Sequence, residues 1–375
     1  MKLLVVAPSL RNSSPGSRFR IEQWMPYFEA AGVSCTYAAF EDETLHELIY
    51  TPGNYLGKTS AMLRAFGRRI SLTSRARDFD LVFLFEEAAR IGPALLERAI
   101  RWLGVPMVYD FCDPIYLPYR SPMNHHLSLL KCFGKTASIC GLADHVIVGN
   151  EALADYALRY NAKVSVVPIT IDTRIYKARG TTRTGAEPPV IGWTGSHSTV
   201  PHLDGIRSVL QELARIRRFR LVVVGAPAYR LEGVDCVARP WSAAREVEDL
   251  HEMDIGIMPL PDDTWTSLRS HLKVRQYMGA GIPAIASPAG VNRELIQDGA
   301  NGYLAESTAE WLDRLVQLID DPGLRLAIGR RARATIEERY SGEIWAARVL
   351  QILNQVLGRE GSSVLPDRAL AQKLV

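Results

Sequence analysis

The sequence lacks long apolar runs, paired-cysteine motifs and any strong excess of charge. No hydrophobic segment approaches the ~20 residues of a membrane span, and 47% hydrophobic with 23% charged residues is typical of a soluble globular protein. The five cysteines form no CxxC pair and no zinc spacing, which favours structural or incidental thiols in a reducing compartment. A net charge of +3 is too small to indicate a nucleic-acid partner. We therefore expect a cytoplasmic protein without a bound metal.

Signature motifs for common cofactors are also missing. Neither GxGxxG nor a P-loop lysine motif occurs, which disfavours a dinucleotide enzyme and an ATPase, and no cofactor is predicted. The apolar run Leu3–Ala7 is too short for a signal peptide and is followed by no small-residue cleavage site. It is predicted to be the first β-strand.

The chain of 375 residues exceeds what one hydrophobic core usually supports, so two domains are expected. In both halves, short β-branched runs alternate with longer amphipathic stretches, which predicts parallel βα units buried on both faces by helices. The predicted strands include 81–85, 145–148, 190–194, 255–258 and 284–286, and the predicted helices include 201–217 and 243–253. Residues 172–189 carry Arg, Gly, Thr and Pro without an apolar period and are predicted to be a linker. The remaining predicted parts are domains at 1–171 and 190–338, a helix at 339–357 and a tail at 358–375.

Three turns rich in small residues follow predicted strands, at 8–20, 192–199 and 287–294. Glycine permits close backbone approach, and free N–H groups at a helix start attract anions, so each turn could hold a phosphate. Ordinary turns with N-caps are the alternative. The residues of these turns predicted to contact the ligand are Gly16, Ser17, Arg18, Gly195, Ser196, His197, Ser198, Gly290, Val291 and Asn292.

A further candidate is the helix predicted to begin at Ser267 or Ser270. Such a helix places Arg269, Lys273 and Gln276 on one stripe. Two cations one turn apart suit a pyrophosphate, and Gln276 could hold ribose hydroxyls. A solvated surface face is the alternative interpretation.

Motifs spread over nearly the whole chain carry a resemblance to a known family. They are Pro15–Arg20, Tyr109–Pro114, Ala143–Asn150, Ile191–Gly195, Asp254–Leu260, Lys273–Pro283, Ser287–Glu294 and Asp298–Leu304. Together they resemble those of the GT-B glycosyltransferases, within the retaining, nucleotide-sugar-dependent family 4. The resemblance implies an α/β fold with two Rossmann-like, doubly wound parallel-sheet domains facing across a cleft. It also implies an N-terminal acceptor domain, a C-terminal donor domain and a final helix that crosses back to the first domain.

The sequence departs from this family at two places. The E-x7-E signature is absent, because Gln276 occupies its second position and Leu268 or Arg269 falls near its first. The usual basic pair after the first strand of the C-terminal domain is replaced by residues 196–199. We expect Arg269 and Lys273 to supply the missing positive charge to the leaving diphosphate.

Four further residues have proposed roles with structural alternatives. Asp110 and Asp113 end a first-domain strand and could steer or deprotonate the acceptor hydroxyl; helix capping or structural pairing is the alternative. Arg239 and Trp241 are predicted to border the nucleobase, with core packing as the alternative for Trp241. The predicted catalytic set is thus Asp110, Asp113, Arg269 and Lys273.

Residues 58–77 contain six Lys or Arg and no acid, together with apolar residues, which permits a basic amphipathic helix. Peripheral contact with the inner face of a membrane is one interpretation, and a solvated helix face is the other. The predicted function is sugar transfer from a nucleotide-diphosphate donor to a saccharide or lipid-linked acceptor, with retention, in cell-surface polysaccharide or glycoconjugate assembly. The alternatives are a catalytically silent GT-B homologue that acts as a binding or scaffold subunit, and a sugar-nucleotide epimerase.

Overall fold

The computed structural model describes residues 1–118, 131–180, 187–196, 198–261 and 263–359. The chain divides into two compact units. The first unit comprises Met1–Ile169 with Gly342–Val375, and the second comprises Thr170–Ser341.

Each unit is built around one six-stranded sheet in which every pair of neighbouring strands is parallel. The strands are β1 (Lys2–Ala7), β2 (Ser34–Ala39), β3 (Leu81–Phe85), β4 (Met107–Phe111), β5 (His145–Val148), β6 (Val164–Val166), β7 (Val190–Thr194), β8 (Arg220–Val224), β9 (Cys236–Arg239), β10 (Ile255–Met258), β11 (Ala284–Ala286) and β12 (Tyr303–Leu304). The first sheet has the order β2-β1-β3-β4-β5-β6, and the second has the order β12-β11-β10-β7-β8-β9.

Helices lie between most consecutive strands, whereas β8 and β9 are joined by the helix-free segment 225–235. The helices are α1 (Pro15–Arg18), α2 (Ile21–Ala30), α3 (Glu43–Ile49), α4 (Tyr55–Ser74), α5 (Leu95–Trp102), α6 (Lys135–Leu142), α7 (Glu151–Ala157), α8 (Val200–Asp204), α9 (Arg207–Ile216), α10 (Glu246–His251), α11 (Thr264–Ser267), α12 (Leu272–Gly279), α13 (Asn292–Leu295), α14 (Thr308–Asp320), α15 (Pro322–Arg339) and α16 (Gly342–Val356). None of the described helices is both long enough and apolar enough to cross a bilayer.

The central strands are buried on both faces, as their composition predicts. All five residues of β3 are buried, as are all four of β10. A strand without a polar face is stable only where helices cover both sides of the sheet. The predicted doubly wound α/β class is confirmed for each of the two sheets.

The predicted linker differs from the structure at its start. Thr170 and the residues that follow belong to the second unit, where Asp172 and Tyr176 are buried. The Ile171 N–H donates to the Tyr340 carbonyl at 2.9 Å, which ties the segment to the end of α15. An ordered, buried start therefore replaces the expected linker, and 181–186 lie outside the described residues.

The last described helix, α16, belongs to the first unit and packs against α2. Its first residue, Gly342, lies so close to α2 that a Cβ there would be 3.3 Å from the Gln23 side chain. Val349 and Leu353 are fully buried. Helix α16 is thus a structural part of the first unit, and the predicted tail beyond Arg359 lies outside the described residues.

Candidate functional site

Lys273 lies in the second unit on α12, which connects β10 to β11. Its ammonium nitrogen lies 4.4 Å from the centroid of the Trp193 ring, and Trp193 is fully buried at the end of β7. Burial, and then the positive charge of Arg269, lower the pKa of Lys273 to about 7. The ammonium therefore packs on an indole instead of extending into bulk water, which disfavours the solvated-face interpretation.

Three basic groups share this region. The pKa of His202 is lowered by burial first and then by the charges of Lys273 and Arg269. Among the described residues, no carboxylate lies within ion-pair distance of Lys273. The negative charge of Asp263 acts on His202, whereas Lys273 and Arg269 are neighbouring cations that an anion bound between them would stabilise. These two residues therefore have the electrostatics of a phosphate site.

The predicted start of the Lys273 helix is wrong. Asp263 caps a separate single turn, α11, by accepting from the Thr266 N–H at 2.7 Å. His271 then adopts a left-handed backbone with φ of 44°, and α12 begins only at Leu272. Arg269 thus lies in the turn between two helices and not on a helical stripe with Lys273 and Gln276, although its charge still acts on Lys273.

Gln276, predicted to hold ribose hydroxyls, makes a hydrogen bond within the second unit. It is buried, and its Nε2 donates to Glu246 Oε1 at 3.2 Å. The same oxygen accepts from Trp241 Nε1 at 3.0 Å, and the other Glu246 oxygen accepts from the Tyr176 hydroxyl. Gln276 therefore fixes Glu246, a residue that the sequence did not single out. Its position near the start of the predicted helix at 243–253 offered no signal beyond an ordinary surface acid.

The two residues predicted to border the nucleobase differ in their surroundings. Trp241 is 39% exposed, which disfavours core packing and leaves part of the side chain accessible to solvent. Arg239 is held by Glu252 at 2.6 Å and by Asp249 at 3.1 Å. We infer that Arg239 is a structural partner of α10 and that only Trp241 offers a binding surface.

The turn after β7 is closed by its own side chains. The Ser196 N–H donates to Thr199 Oγ1 at 3.1 Å, and the Ser196 and Ser198 hydroxyls lie 2.7 Å apart. The Gly195 N–H donates to the Val224 carbonyl at 2.9 Å. This pattern is that of a capped turn whose hydroxyls remain exposed, and the predicted residue His197 lies outside the described residues.

The turn after β11 needs glycine for a steric reason. Gly290 has φ of 44°, and a Cβ there would lie 2.3 Å from the Ser267 carbonyl oxygen. Val291 is buried, and Asn292 is fully buried with its Nδ2 donating to the Ser287 carbonyl at 3.0 Å. Gly290 therefore brings this turn close to Ser267, and the Asn292 side chain stabilises the turn from within.

In the first unit, the structure overturns the proposed role of Asp110. Its carboxylate is fully buried and is bound by the Arg20 guanidinium, with Nε to Oδ2 at 2.8 Å. Arg20 also donates to the Val167 carbonyl at 2.6 Å, so the pair joins the start of α2 to β4 and to the residue that follows β6. Asp110 cannot reach an acceptor from this position, and the structural-pairing alternative is the better interpretation.

The turn after β1 is split between buried and accessible residues. Ser17 is fully buried and its hydroxyl donates to the Ser14 carbonyl at 3.2 Å, so it is not placed to bind a ligand. Arg18 is half-buried with its guanidinium 5.3 Å from the Phe19 ring centroid. A Cβ on Gly16 would lie 3.1 Å from Phe85 and 3.5 Å from Glu86 Oε1, so glycine allows this turn to pack on the end of β3.

Glu86 is a candidate site residue that the sequence analysis missed. It follows β3 directly, and burial together with the negative charge of Asp113 raises its pKa to about 8. Asp113 itself is half-buried in the loop after β4. Because β3 and β4 are neighbours, both acids lie at the carboxyl edge of the first sheet.

Comparison with known proteins shows that part of the second unit matches a known family model. Residues 188–321 match the family model described as Glycosyl transferases group 1. The matched segment contains Lys273, Arg269, Gln276 and both turns of the second unit. The N-acetyl-alpha-D-glucosaminyl L-malate synthase of Bacillus anthracis is 26% identical over 199 residues, which are 49% of this chain and 51% of that relative. The aligned part thus spans about half the length of this curated relative.

Solved structures of similar fold cover more of the chain. Sucrose-phosphate synthase from Thermosynechococcus elongatus matches 96% of this chain and 100% of its own with a TM-score of 0.67 at 14% identity. Anabaena HepE in complex with UDP-glucose matches 95% of this chain and 100% of its own with a TM-score of 0.63 at 17% identity. These likenesses confirm the predicted GT-B fold.

Proposed function

We propose that this chain is a glycosyltransferase that moves a sugar from a nucleoside diphosphate donor to an acceptor hydroxyl. The observation that carries the proposal is the Lys273 ammonium, packed on Trp193 beside Arg269 within the matched segment 188–321. A cation in a low-dielectric environment, with a second cation next to it, interacts strongly with the negative charge of a diphosphate. We propose Lys273 and Arg269 as the residues that stabilise the leaving group.

The chemistry that these cations support is cleavage of the anomeric C–O bond. Negative charge grows on the β-phosphate as the sugar acquires oxocarbenium character, and fixed cations lower the energy of that state more than that of the bound donor. We propose a retaining, front-face route in which the acceptor oxygen bonds to the anomeric carbon while its proton passes to the departing phosphate oxygen. Such a route requires no covalent carboxylate nucleophile.

The donor is proposed to be a uridine diphosphate sugar. Two features support this choice: HepE, which shares the fold, has been solved with UDP-glucose, and the indole of Trp241 is partly exposed near Glu246. A planar, exposed indole is suited to stacking on a base. The exposed hydroxyls of Ser196 and Ser198 are proposed to line the diphosphate from the turn after β7.

The acceptor is proposed to be a saccharide or lipid-linked hydroxyl used in cell-surface polysaccharide or glycoconjugate assembly. Helix α4 supports a membrane setting, since Leu56, Leu63 and Ile70 recur every seven residues and are 88%, 67% and 58% exposed. Arg64 and Arg75 are also exposed, whereas Arg69 is buried and donates to the Ala7 carbonyl at 2.9 Å. We propose that the exposed side of α4 contacts anionic lipid, with fewer of its basic residues available than the sequence predicts.

A donor panel tests the proposed function. Incubation with UDP-glucose, UDP-N-acetylglucosamine and guanosine or thymidine analogues should raise the melting temperature for one base and release its nucleoside diphosphate. Donor binding without release of nucleoside diphosphate, whether or not an acceptor is present, would favour the catalytically silent binding homologue. The replacement of the E-x7-E glutamates is the observation that supports that alternative. Interconversion of sugar epimers without acceptor, seen by NMR, would favour the epimerase. Absence of binding to every donor would contradict the proposal.

A further inference from the structure

Glu86 has an unusual backbone conformation at a functional edge of its sheet. Its φ is 55°, in the left-handed region, and its N–H donates to the Asp110 carbonyl at 2.7 Å. A side chain with a Cβ rarely adopts this conformation, and such residues cluster at ligand sites where surrounding structure holds them in place. The conformation directs the chain out of β3 and sets the position of the Glu86 carboxyl.

The carboxyl of Glu86 also differs from the acids around it. Glu87 is paired with Lys135 at 2.6 Å, and Glu41 is paired with Arg90 at 2.6 Å. In the part of the chain that the structure describes, no side chain or backbone group makes a hydrogen bond to the Glu86 carboxyl. The half-buried carboxyl thus retains its capacity to bind a ligand, while its neighbours are committed to structural pairs.

The charged groups that act on Glu86 come from several elements. They are Asp113, Arg90, Glu87 and Asp110, and the phenol of Tyr37 and the ammonium of Lys131 also sense its charge. Burial and Asp113 outweigh Arg90, so the pKa of Glu86 rises to about 8. At neutral pH the Glu86 carboxyl is therefore mostly protonated and can both donate and accept a hydrogen bond.

We infer that Glu86 and Asp113 form an acceptor-binding pair that recognises the hydroxyl groups of a neutral sugar. This inference rests on the proposed function and adds the class of acceptor. Sugar hydroxyls both donate and accept, which matches a protonated Glu86 carboxyl next to the Asp113 carboxyl. A carboxylate-bearing acceptor would bring a further negative charge close to Asp113. A preference for neutral sugar acceptors would distinguish this chain from the relative that is named for L-malate.

Binding measured without donor tests the pair directly. Methyl α-D-glucoside, methyl α-D-galactoside, N-acetyl-D-glucosamine and L-malate are titrated into the full chain, with affinity measured by saturation-transfer NMR. At least one neutral sugar should bind the wild type, and Glu86→Gln should weaken that binding at least tenfold. Glu86→Gly, which suits the left-handed backbone, should lose binding to the same extent. The matched control Glu87→Gln should bind as the wild type does.

The outcomes separate this inference from the proposed function. Wild-type affinity in Glu86→Gln, tighter binding of L-malate than of every neutral sugar, or no neutral sugar bound at all would each overturn the acceptor pair. UDP release from UDP-glucose is measured in parallel on the same variants. Sugar binding that depends on Glu86, in a protein that neither binds nor cleaves any donor, would retain the acceptor pair and contradict the proposed transferase.

Discussion

Lys273 is the residue whose ionisation the proposed donor site depends on. With a pKa of about 7 in the free protein, its amine is largely neutral at pH 8, and a bound diphosphate should restore the proton. Calorimetric titration with UDP in buffers of different ionisation enthalpy should therefore show uptake of about one proton at pH 8 and little at pH 6. Affinity should fall as pH rises above 7.

The controls for this prediction are two lysine variants. Lys273→Ala should abolish the buffer dependence, whereas Lys177→Ala, at an exposed position in the same unit, should retain it. Binding heats at pH 8 that are equal in all buffers for the wild type would show that Lys273 does not meet the ligand.

Asp110 is predicted to contribute to the stability of the fold and not to the reaction. Asp110→Asn leaves the fully buried Arg20 guanidinium without its counter-ion, which should lower the free energy of unfolding by about 3–5 kcal/mol in urea titrations. Asp320→Asn breaks the exposed pair with Arg217 and should lower the free energy of unfolding far less, because water screens that pair. A stable Asp110→Asn protein with lost turnover would restore the catalytic interpretation.

Glu86 should make stability depend on pH in a defined direction. Because its pKa is raised in the folded state, the fold holds a proton that the unfolded chain releases between about pH 4.5 and pH 8, so folding weakens as pH rises through this window. Glu86→Gln removes that loss, and its gain in melting temperature over the wild type should grow from pH 5 to pH 8. A gain that stays constant with pH would contradict the raised pKa.

Local sequence patterns predict some of the site residues and not others, for a physical reason. Lys273 was predicted from its local spacing to Arg269 and Gln276, which a single sequence shows directly. The Arg20–Asp110 pair joins residues 90 positions apart, and the Glu246 hydrogen bonds join residues up to 70 positions apart. Only the folded chain decides such partners. Glu86 was missed because its distinguishing feature is a backbone angle.

At the scale of elements, strands were predicted better than helix ends. The predicted bounds of β3, β5, β7, β10 and β11 match the structure, because uniformly apolar runs in a parallel sheet leave little freedom. The helix predicted at 201–217 is instead two, α8 and α9, with Gly205 between them. The two-residue strand β12 was not predicted because it is too short to show a period.

The proposed contact between helix α4 and anionic lipid can be tested by substitution. Leu63→Glu with Ile70→Glu places charge on its exposed apolar side, and this double variant should abolish sedimentation with vesicles of phosphatidylglycerol and phosphatidylcholine. Arg64→Glu with Arg75→Glu should weaken sedimentation and remove its salt dependence. The matched control is Glu212→Lys on α9 of the second unit. If the wild type does not sediment with these vesicles, the membrane contact is wrong.

At the scale of the whole molecule, the proposed function has more support from the second unit than from the first. The second unit has the family match, the cation cluster and the turns proposed to line a diphosphate, whereas the first unit resembles glycosyltransferases in fold alone. Alternation of strands and helices was enough to predict two doubly wound sheets. It could not predict which polar residues become buried, since that depends on long-range packing.

The most direct test of the proposed function is the turnover number of Lys273→Ala with its best donor and acceptor, measured as nucleoside diphosphate release. We predict that kcat falls by roughly 10²-fold or more, because the variant loses the cation that meets the charge on the leaving phosphate. Circular dichroism should show an intact fold, and Lys177→Ala should keep wild-type turnover. A folded Lys273→Ala protein with unchanged kcat would contradict the proposal that this cation stabilises the departing diphosphate.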